Sequence, residues 1–345
     1  TYEHPWEVTV DTGVLALCAG SFLDATPLYA SARYARRLGF RDRPVHPLVL
    51  LNFGLSFSVH DVSEQAIAHL AYIDVRFPSA CYAGDTVRAA STVLGVKRAS
   101  EGARGVVHVL TVLCADDARV VCQFERKVLV KASGPAGAAV PRSVTAPSVG
   151  AEPSRVDVPA ELGDPSGLSA VPGFGGFFED FKPGDVICHD VGRTVSESEH
   201  MQLTYAFRNT HPLHFEEPYA RSGFAKTRVV YGGLVLGWVS SLASRDTSGN
   251  ALWMVRMDKG AHPAGVVAGD TLYAASQVLR TEVRSSVTGS VTFRLVGTKN
   301  VKPADLLDAG ADLFSDELSK AGASGAKVKE KVVEIERTLL LRRKP

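Results

Sequence analysis

A chain of 345 residues has room for about two domains of ordinary size, and 45% apolar with 22% charged residues is the balance of a globular protein. The net charge of +1 leaves neither a basic footprint for nucleic acid nor an acidic tail. The apolar run Val45 to Val59 is broken by Pro47, Asn52 and Gly54, short of the roughly 20 residues that cross a membrane. The first residues, Thr1 to Trp6, lack the charged start and apolar core of a secretory signal. Five cysteines (Cys18, Cys81, Cys114, Cys122, Cys188) form no C-x-x-C pair. Neither a disulfide framework nor a metal site is expected, and a reducing cytoplasm is the expected compartment.

In chain order, a strand over Glu7–Val10 leads to a helical segment that ends at Asp24, and a loop containing Arg43 follows. His46 to Val59 reads as a helix apolar all round, the pattern of a helix buried in a core. Strands follow at Thr86–Val96, Gly105–Cys114 and Val120–Val130. Residues 131–173 are rich in Ala, Gly, Pro and Ser without a hydrophobic period, and read as a linker over the surface. The same order then returns: a strand at Ile187–Val195, a helical segment ending at Asn209, and an apolar helix from Tyr231 to Ser244. Strands at Thr271–Val283, Gly289–Val296 and Lys331–Leu341 complete it, with an insertion at Val301–Ala326 that is helix-like over Ala304–Ala321.

The return is also literal. Asp24-Ala-Thr-Pro-Leu-Tyr29 recurs 185 positions on (209 − 24) as Asn209-Thr-His-Pro-Leu-His214, and Arg43-Pro-Val-His46 as Arg228-Val-Val-Tyr231. Ala83-Gly-Asp-Thr86 recurs as Ala268-Gly-Asp-Thr271, and Glu125-Arg126 is matched by Glu336-Arg337. A repeat of this length is a whole domain. One buried helix followed by antiparallel strands is an α+β plan, the hotdog, and its duplication predicts a tandem (double) hotdog. The expected division is an N-terminal unit over 1–130, a linker over 131–173 and a C-terminal unit over 174–345.

Asn209-x-x-Pro-Leu-His214, Arg228-Val-Val-Tyr-Gly-Gly233 and Ala268-Gly-Asp-Thr271 together resemble the MaoC-like (R)-specific enoyl-CoA hydratases. The likeness covers both halves and leaves out the linker. It implies a hydro-lyase that reversibly hydrates an α,β-unsaturated acyl-CoA. Within the family the chain is most similar to the two-hotdog members acting on a branched C5 dicarboxylic enoyl-CoA. The usual pattern holds an Asp where this chain has Asn209, so a carboxylate base is missing there. Other readings are a dehydratase working on a carrier-bound acyl chain and a non-catalytic acyl-CoA-binding protein.

Hydration of such a thioester requires water activated at the β-carbon, a proton delivered to the α-carbon and an oxyanion stabilised at the carbonyl. His214 suits proton transfer, because imidazole titrates near working pH, and Asn209 suits holding the water through its amide. The amides at Tyr231-Gly232-Gly233 open the second apolar helix and suit the oxyanion. Pro47 at the matching place has no N–H to offer, and Tyr29 replaces the histidine, so the first half reads as a degenerate site with Asp24 and Tyr29 as accessory groups at most. Each residue has a plainer alternative: His214 and Asn209 as helix-cap or turn residues, Arg43 and Arg228 as solvated or ion-paired arginines rather than anchors for a carboxylate or a CoA phosphate. No nucleotide or metal motif is present. The expected partner is a small acyl-CoA substrate with no separate cofactor, no nucleic acid and no membrane, in a homo-oligomer.

Overall fold

The computed structural model describes residues 1–98, 104–116, 118–131, 154, 156–168, 176–223, 225–317 and 327–344. Ten strands run through them: β1 (Tyr2–Thr9), β2 (Ala66–Arg76), β3 (Thr86–Arg98), β4 (Arg104–Ala115), β5 (Arg119–Lys131), β6 (Val186–Thr194), β7 (Ala251–Ala261), β8 (Thr271–Val283), β9 (Thr288–Lys299) and β10 (Lys331–Arg342). They join in one antiparallel sheet in the order β1-β3-β4-β5-β2-β7-β10-β9-β8-β6. Read inward from either edge, the two halves have the same connectivity, and β2 and β7 meet at the seam through Tyr72↔Gly260 and Val75↔Met257. Asp74 stabilises that seam: its carboxylate pairs with Arg76 and with Arg256 of β7 (2.8 and 2.7 Å), and its amide donates to Asp258 (3.1 Å). The duplicated units thus share a continuous sheet instead of presenting two open edges. The fold is the double hotdog.

The helices are α1 (Thr12–Phe22), α2 (Pro27–Ala30), α3 (Ala32–Arg37), α4 (Pro47–Phe57), α5 (Glu197–Ala206), α6 (Pro212–Phe215), α7 (Glu217–Ser222), α8 (Gly232–Leu242), α9 (Ser244–Thr247) and α10 (Pro303–Asp308). The two apolar helices expected from the sequence are α4 and α8. Every residue of α4 and Gly233 to Ser241 of α8 are buried, so each helix fills the concave face of its half of the sheet. They also touch each other. Asn52 of α4 donates through Nδ2 to the Leu48 carbonyl (2.7 Å) and across to that of Gly233 (3.2 Å). A Cβ on Gly233 would lie 2.2 Å from Asn52 Oδ1 and 2.9 Å from the Tyr231 ring, so a side chain here would force both to shift.

Smaller features repeat as well. Gly84 and Gly269 hold φ +95 and +91 in the turns before β3 and β8, a left-handed conformation that glycine adopts without steric cost. In each half a buried histidine joins the edge strand to the end of the central helix. His4 lies 2.8 Å from both Asp61 and Ser91, and His189 lies 2.5 Å from Asp246 and 3.0 Å from Ser276.

Two expectations are corrected. The helix expected over Ala304–Ala321 is only α10, Pro303–Asp308: Gly310 takes φ +79 and the chain continues irregularly to Glu317. There a buried cluster fixes it, since Lys331 Nζ lies 3.1 Å from Glu317 and 2.8 Å from Glu334; residues 318–321 lie outside the described residues. The linker does not simply cross the surface. Within its described part Leu168 is buried, Val158 and Leu162 pack on the core, and the Gly163 amide donates to the Leu38 carbonyl at 2.7 Å. All five cysteines are free thiols, four of them buried. No helix among the described residues is long and apolar enough to cross a membrane.

Candidate active site

His214 stands on α6, a single turn that Pro212 starts and His211 caps: His211 Nδ1 accepts from the Leu213 amide at 3.2 Å. Pro at the first helical position is pre-set for that turn and has no N–H to leave unsatisfied. His214 Nδ1 faces the Val229 carbonyl at 2.7 Å. A carbonyl only accepts, so Nδ1 carries the proton and Nε2 keeps its lone pair. Burial, with His211 adding to it, pushes the His214 pKa down to about 3 against that hydrogen bond. The imidazole is therefore neutral, and an anion seated beside it raises its basicity in the direction a proton acceptor needs.

Asn209 Oδ1 accepts from the His211 amide at 3.1 Å, an Asx turn that leaves the side-chain N–H₂ to donate. His211 uses Nδ1 in its cap, so Nε2 bears the hydrogen. The ring centroids of His211 and His214 are 5.4 Å apart, and those of His214 and Tyr231 5.7 Å. At the N-terminus of α8 the Gly232 and Gly233 amides donate to no acceptor among the described residues. Gly232 is held close to His262: an added Cβ would fall 2.5 Å from its Nε2.

These groups line one cavity of about 570 Å³, with Asn209, His211, His214, Tyr231, Gly232 and Gly233 on one side. The opposite wall comes from the first half of the chain: Tyr72, His69 and Arg126, with Val59 and Ala66 to Ala68. Tyr72 Oη lies 3.2 Å from His262 Nε2, and His262 Nδ1 donates to the Val332 carbonyl at 3.1 Å, so His262 is held in place on both sides. Arg126 is buried, bonded through Nη2 to Ser58 Oγ at 2.7 Å, with its Nε unpartnered and no carboxylate in ion-pair range among the described residues. Burial lowers its pKa to about 10, which leaves it a cation at any working pH. The cavity thus presents a neutral imidazole base, several N–H donors and one buried positive charge.

A family model described as mesaconyl-CoA hydratase matches residues 2–304. The chain belongs to that family. It is 31% identical over 308 residues to β-methylmalyl-CoA dehydratase of Chloroflexus aurantiacus, covering 87% of this chain and 86% of that one. It is 32% identical to mesaconyl-CoA hydratase of Cereibacter sphaeroides, covering 87% of each. A solved MaoC domain dehydratase from Chloroflexus aurantiacus superposes with a TM-score of 0.82 at 29% identity, over 99% of this chain and 95% of that one. A Mycobacterium tuberculosis protein with a double hotdog fold, 18% identical with a TM-score of 0.70 over 99% and 95%, shares the fold. The chain is accordingly an enoyl-CoA hydratase/dehydratase, and its substrate class is an acyl-CoA.

For this family member the structure separates the residues singled out in the sequence. Asn209, His214, Tyr231, Gly232 and Gly233 come together. Arg228 does not line the cavity: it is ion-paired with Glu197 and, at 3.4 Å, with Glu217. Arg43, Asp24 and Tyr29 line a different cavity in the first half, so they are not accessory to His214. The residues that sequence reasoning passed over are His69, Tyr72, Arg126 and His262. His69, Tyr72 and His262 lie on or beside the seam strands, which the sequence pattern did not reveal. Arg126 carried a signal, its repeated Glu-Arg pair, but no sign of which way it faced.

Proposed function

We propose that this enzyme reversibly hydrates mesaconyl-CoA to β-methylmalyl-CoA. The observation that supports it is Arg126: a buried guanidinium without a carboxylate partner among the described residues, in the same cavity as His214. An unpaired buried charge is costly, and a carboxylate on the substrate offsets that cost by a charge-assisted hydrogen bond. The pseudo-equivalent Arg337 differs. It bonds to Thr247 and to the Ser240 carbonyl at the end of α8, and does not line the second cavity.

In this reading the substrate's free carboxylate meets Arg126 and its thioester oxygen meets the Gly232 and Gly233 amides, where unpaired N–H groups and the helix dipole stabilise the enolate. Water sits between the Asn209 amide and His214 Nε2. His214 takes its proton as the oxygen bonds to the β-carbon, and then returns a proton to the α-carbon, so the imidazole ends as it began. Asn209 orients and does not ionise, which accounts for its replacing an aspartate. Hydration moves no net electrons, and we propose that no metal or organic cofactor takes part; dialysis against a chelator is expected to leave kcat unchanged.

The test is a mass-spectrometric assay with mesaconyl-CoA and crotonyl-CoA side by side. Gain of one water by mesaconyl-CoA is expected, with Arg126→Gln lowering kcat/KM for it about 100-fold, the order of a lost buried charge pair, and changing crotonyl-CoA turnover little. Equal losses on both substrates would remove Arg126 as the carboxylate anchor, and turnover of crotonyl-CoA alone would remove the C5 dicarboxylate.

A further inference from the structure

The first half holds a cavity of about 590 Å³, as large as the one around His214, built from the repeat of the same motif. Asp24, Tyr29, Arg43, His46 and Arg245 line it, with Leu15, Phe22, Val45 and Val49 as its apolar wall. Asp24 accepts from the Thr26 amide at 2.9 Å and lies 3.4 Å from His46 Nε2. His46 Nδ1 accepts from the Leu48 amide at 3.1 Å, so its proton is on Nε2, the nitrogen beside the carboxylate. Burial works against the charge on Asp24, but the His46 and Thr26 bonds keep its pKa below the ordinary carboxylate value. The Tyr29 hydroxyl is buried with no acceptor for its proton among the described residues, its ring 4.7 Å from that of His46 and 6.2 Å from that of Trp253. Neither Arg43 nor Arg245 is in an ion pair among the described residues.

These groups define what can fill the space. An ionised carboxylate only accepts, so Asp24 asks for a ligand hydroxyl. Tyr29 has a free O–H for the oxygen of that ligand, and the two arginines suit a negatively charged end. What the cavity lacks is equally definite. Pro47 has no N–H, and the Leu48 amide is already bonded to His46, so no backbone donor at the start of α4 awaits an enolate.

We infer that the N-terminal cavity is a second, non-catalytic thioester site that takes a β-hydroxyacyl-CoA in preference to the enoyl-CoA. The inference deepens the reading of the enzyme as a hydratase: the hydrated side of its own reaction would occupy the second cavity. The hydroxyl distinguishes the two ligands, because the enoyl thioester has nothing to donate to Asp24.

Binding stoichiometry tests this by isothermal titration of the full chain carrying His214→Gln, which prevents interconversion during the measurement, with 3-hydroxybutyryl-CoA as the probe. Two equivalents per chain are expected, falling to one when Asp24→Asn is added, and one with crotonyl-CoA. Arg43→Gln with Arg245→Gln, which leaves the Asp24–His46 pair in place, is expected to weaken the same equivalent at least tenfold. One equivalent of the hydroxyacyl probe without Asp24→Asn, or two equivalents of crotonyl-CoA, overturns the inference. Failure of the catalytic reading is distinguishable: His214→Gln would then still turn over substrate, while the Asp24-dependent equivalent would remain.

Discussion

The cavities around His214 and around Asp24 descend from one motif, yet the two rings that face each other have changed places. In the second half His214 lies against Tyr231; in the first, Tyr29 lies against His46. The exchange changes what each histidine can do. His214 spends one nitrogen on a backbone carbonyl and keeps a lone pair, whereas His46 spends one nitrogen capping α4 and directs the other at Asp24. The helix starts differ in the same sense. Gly232 and Gly233 carry amides with no acceptor, while Pro47 and Leu48 carry none to spare. In the proposed reading one motif thus supplies either a base with an oxyanion cradle or a carboxylate with a hydroxyl, according to which position holds the imidazole.

The comparison breaks most visibly if His214 is dispensable. His214→Ala is expected to lower kcat about 100- to 10,000-fold, the usual range for a lost acid–base group, in steady-state hydration. Adding Tyr29→His to that variant is expected to restore nothing, because α4 still has no free N–H. Recovery of turnover would mean that the amides do not separate the two sites.

A smaller effect tests the helix starts. Gly233→Ala places a Cβ 2.2 Å from Asn52 Oδ1, and is expected to destabilise the fold by about 1–3 kcal/mol, the range for overpacking a core, in urea unfolding. The matching position in the first half is Leu48, buried without conflict. An unchanged midpoint would show that α4 and α8 yield more easily than their packing implies.

The smallest effect is the one the halves share. Burial lowers the pKa of His4 and His189 more than Asp61 and Asp246 raise it. In the unfolded chain both protonate near their ordinary value of about 6.5. Their contribution to stability is therefore complete above about pH 6.5 and is lost as pH falls toward the lower folded values. The melting temperature is expected to drop between pH 7 and 5, and replacing both with Gln to flatten that slope. A flat wild-type profile would mean that the two histidines bind protons equally well folded and unfolded.

Much of this was legible in the sequence. The spacing of Asn209, Pro212 and His214 and the glycines at the start of an apolar run indicated a hydratase motif, and the constant repeat indicated two like units, each a helix in a curled sheet. The seam was not legible. β2 is half-buried along most of its length and shows no clean alternation, and β7 is buried on both faces with apolar residues on each, so neither has the period-two signal of a one-sided strand. The place of Arg126 was hidden for the same reason. Arg126 stands on β5, next to β2 in the sheet, and reaches the cavity from there while bonded to Ser58 at the end of α4. Arg228, close to the motif in sequence, satisfied local carboxylates instead.

The seam also couples the two repeats in a way that duplication alone does not require. Because Arg126 and Tyr72 are encoded in the first unit and His214 and Asn209 in the second, neither unit separated from the other carries the whole lining of that cavity. Two chains cut within 131–173 would have to find each other before either could work, and a recombination event exchanging one unit would alter substrate choice and proton chemistry independently. The lining of one cavity is thereby inherited as a single unit, and under the proposed mechanism a change in one repeat alters recognition while the other keeps the proton chemistry.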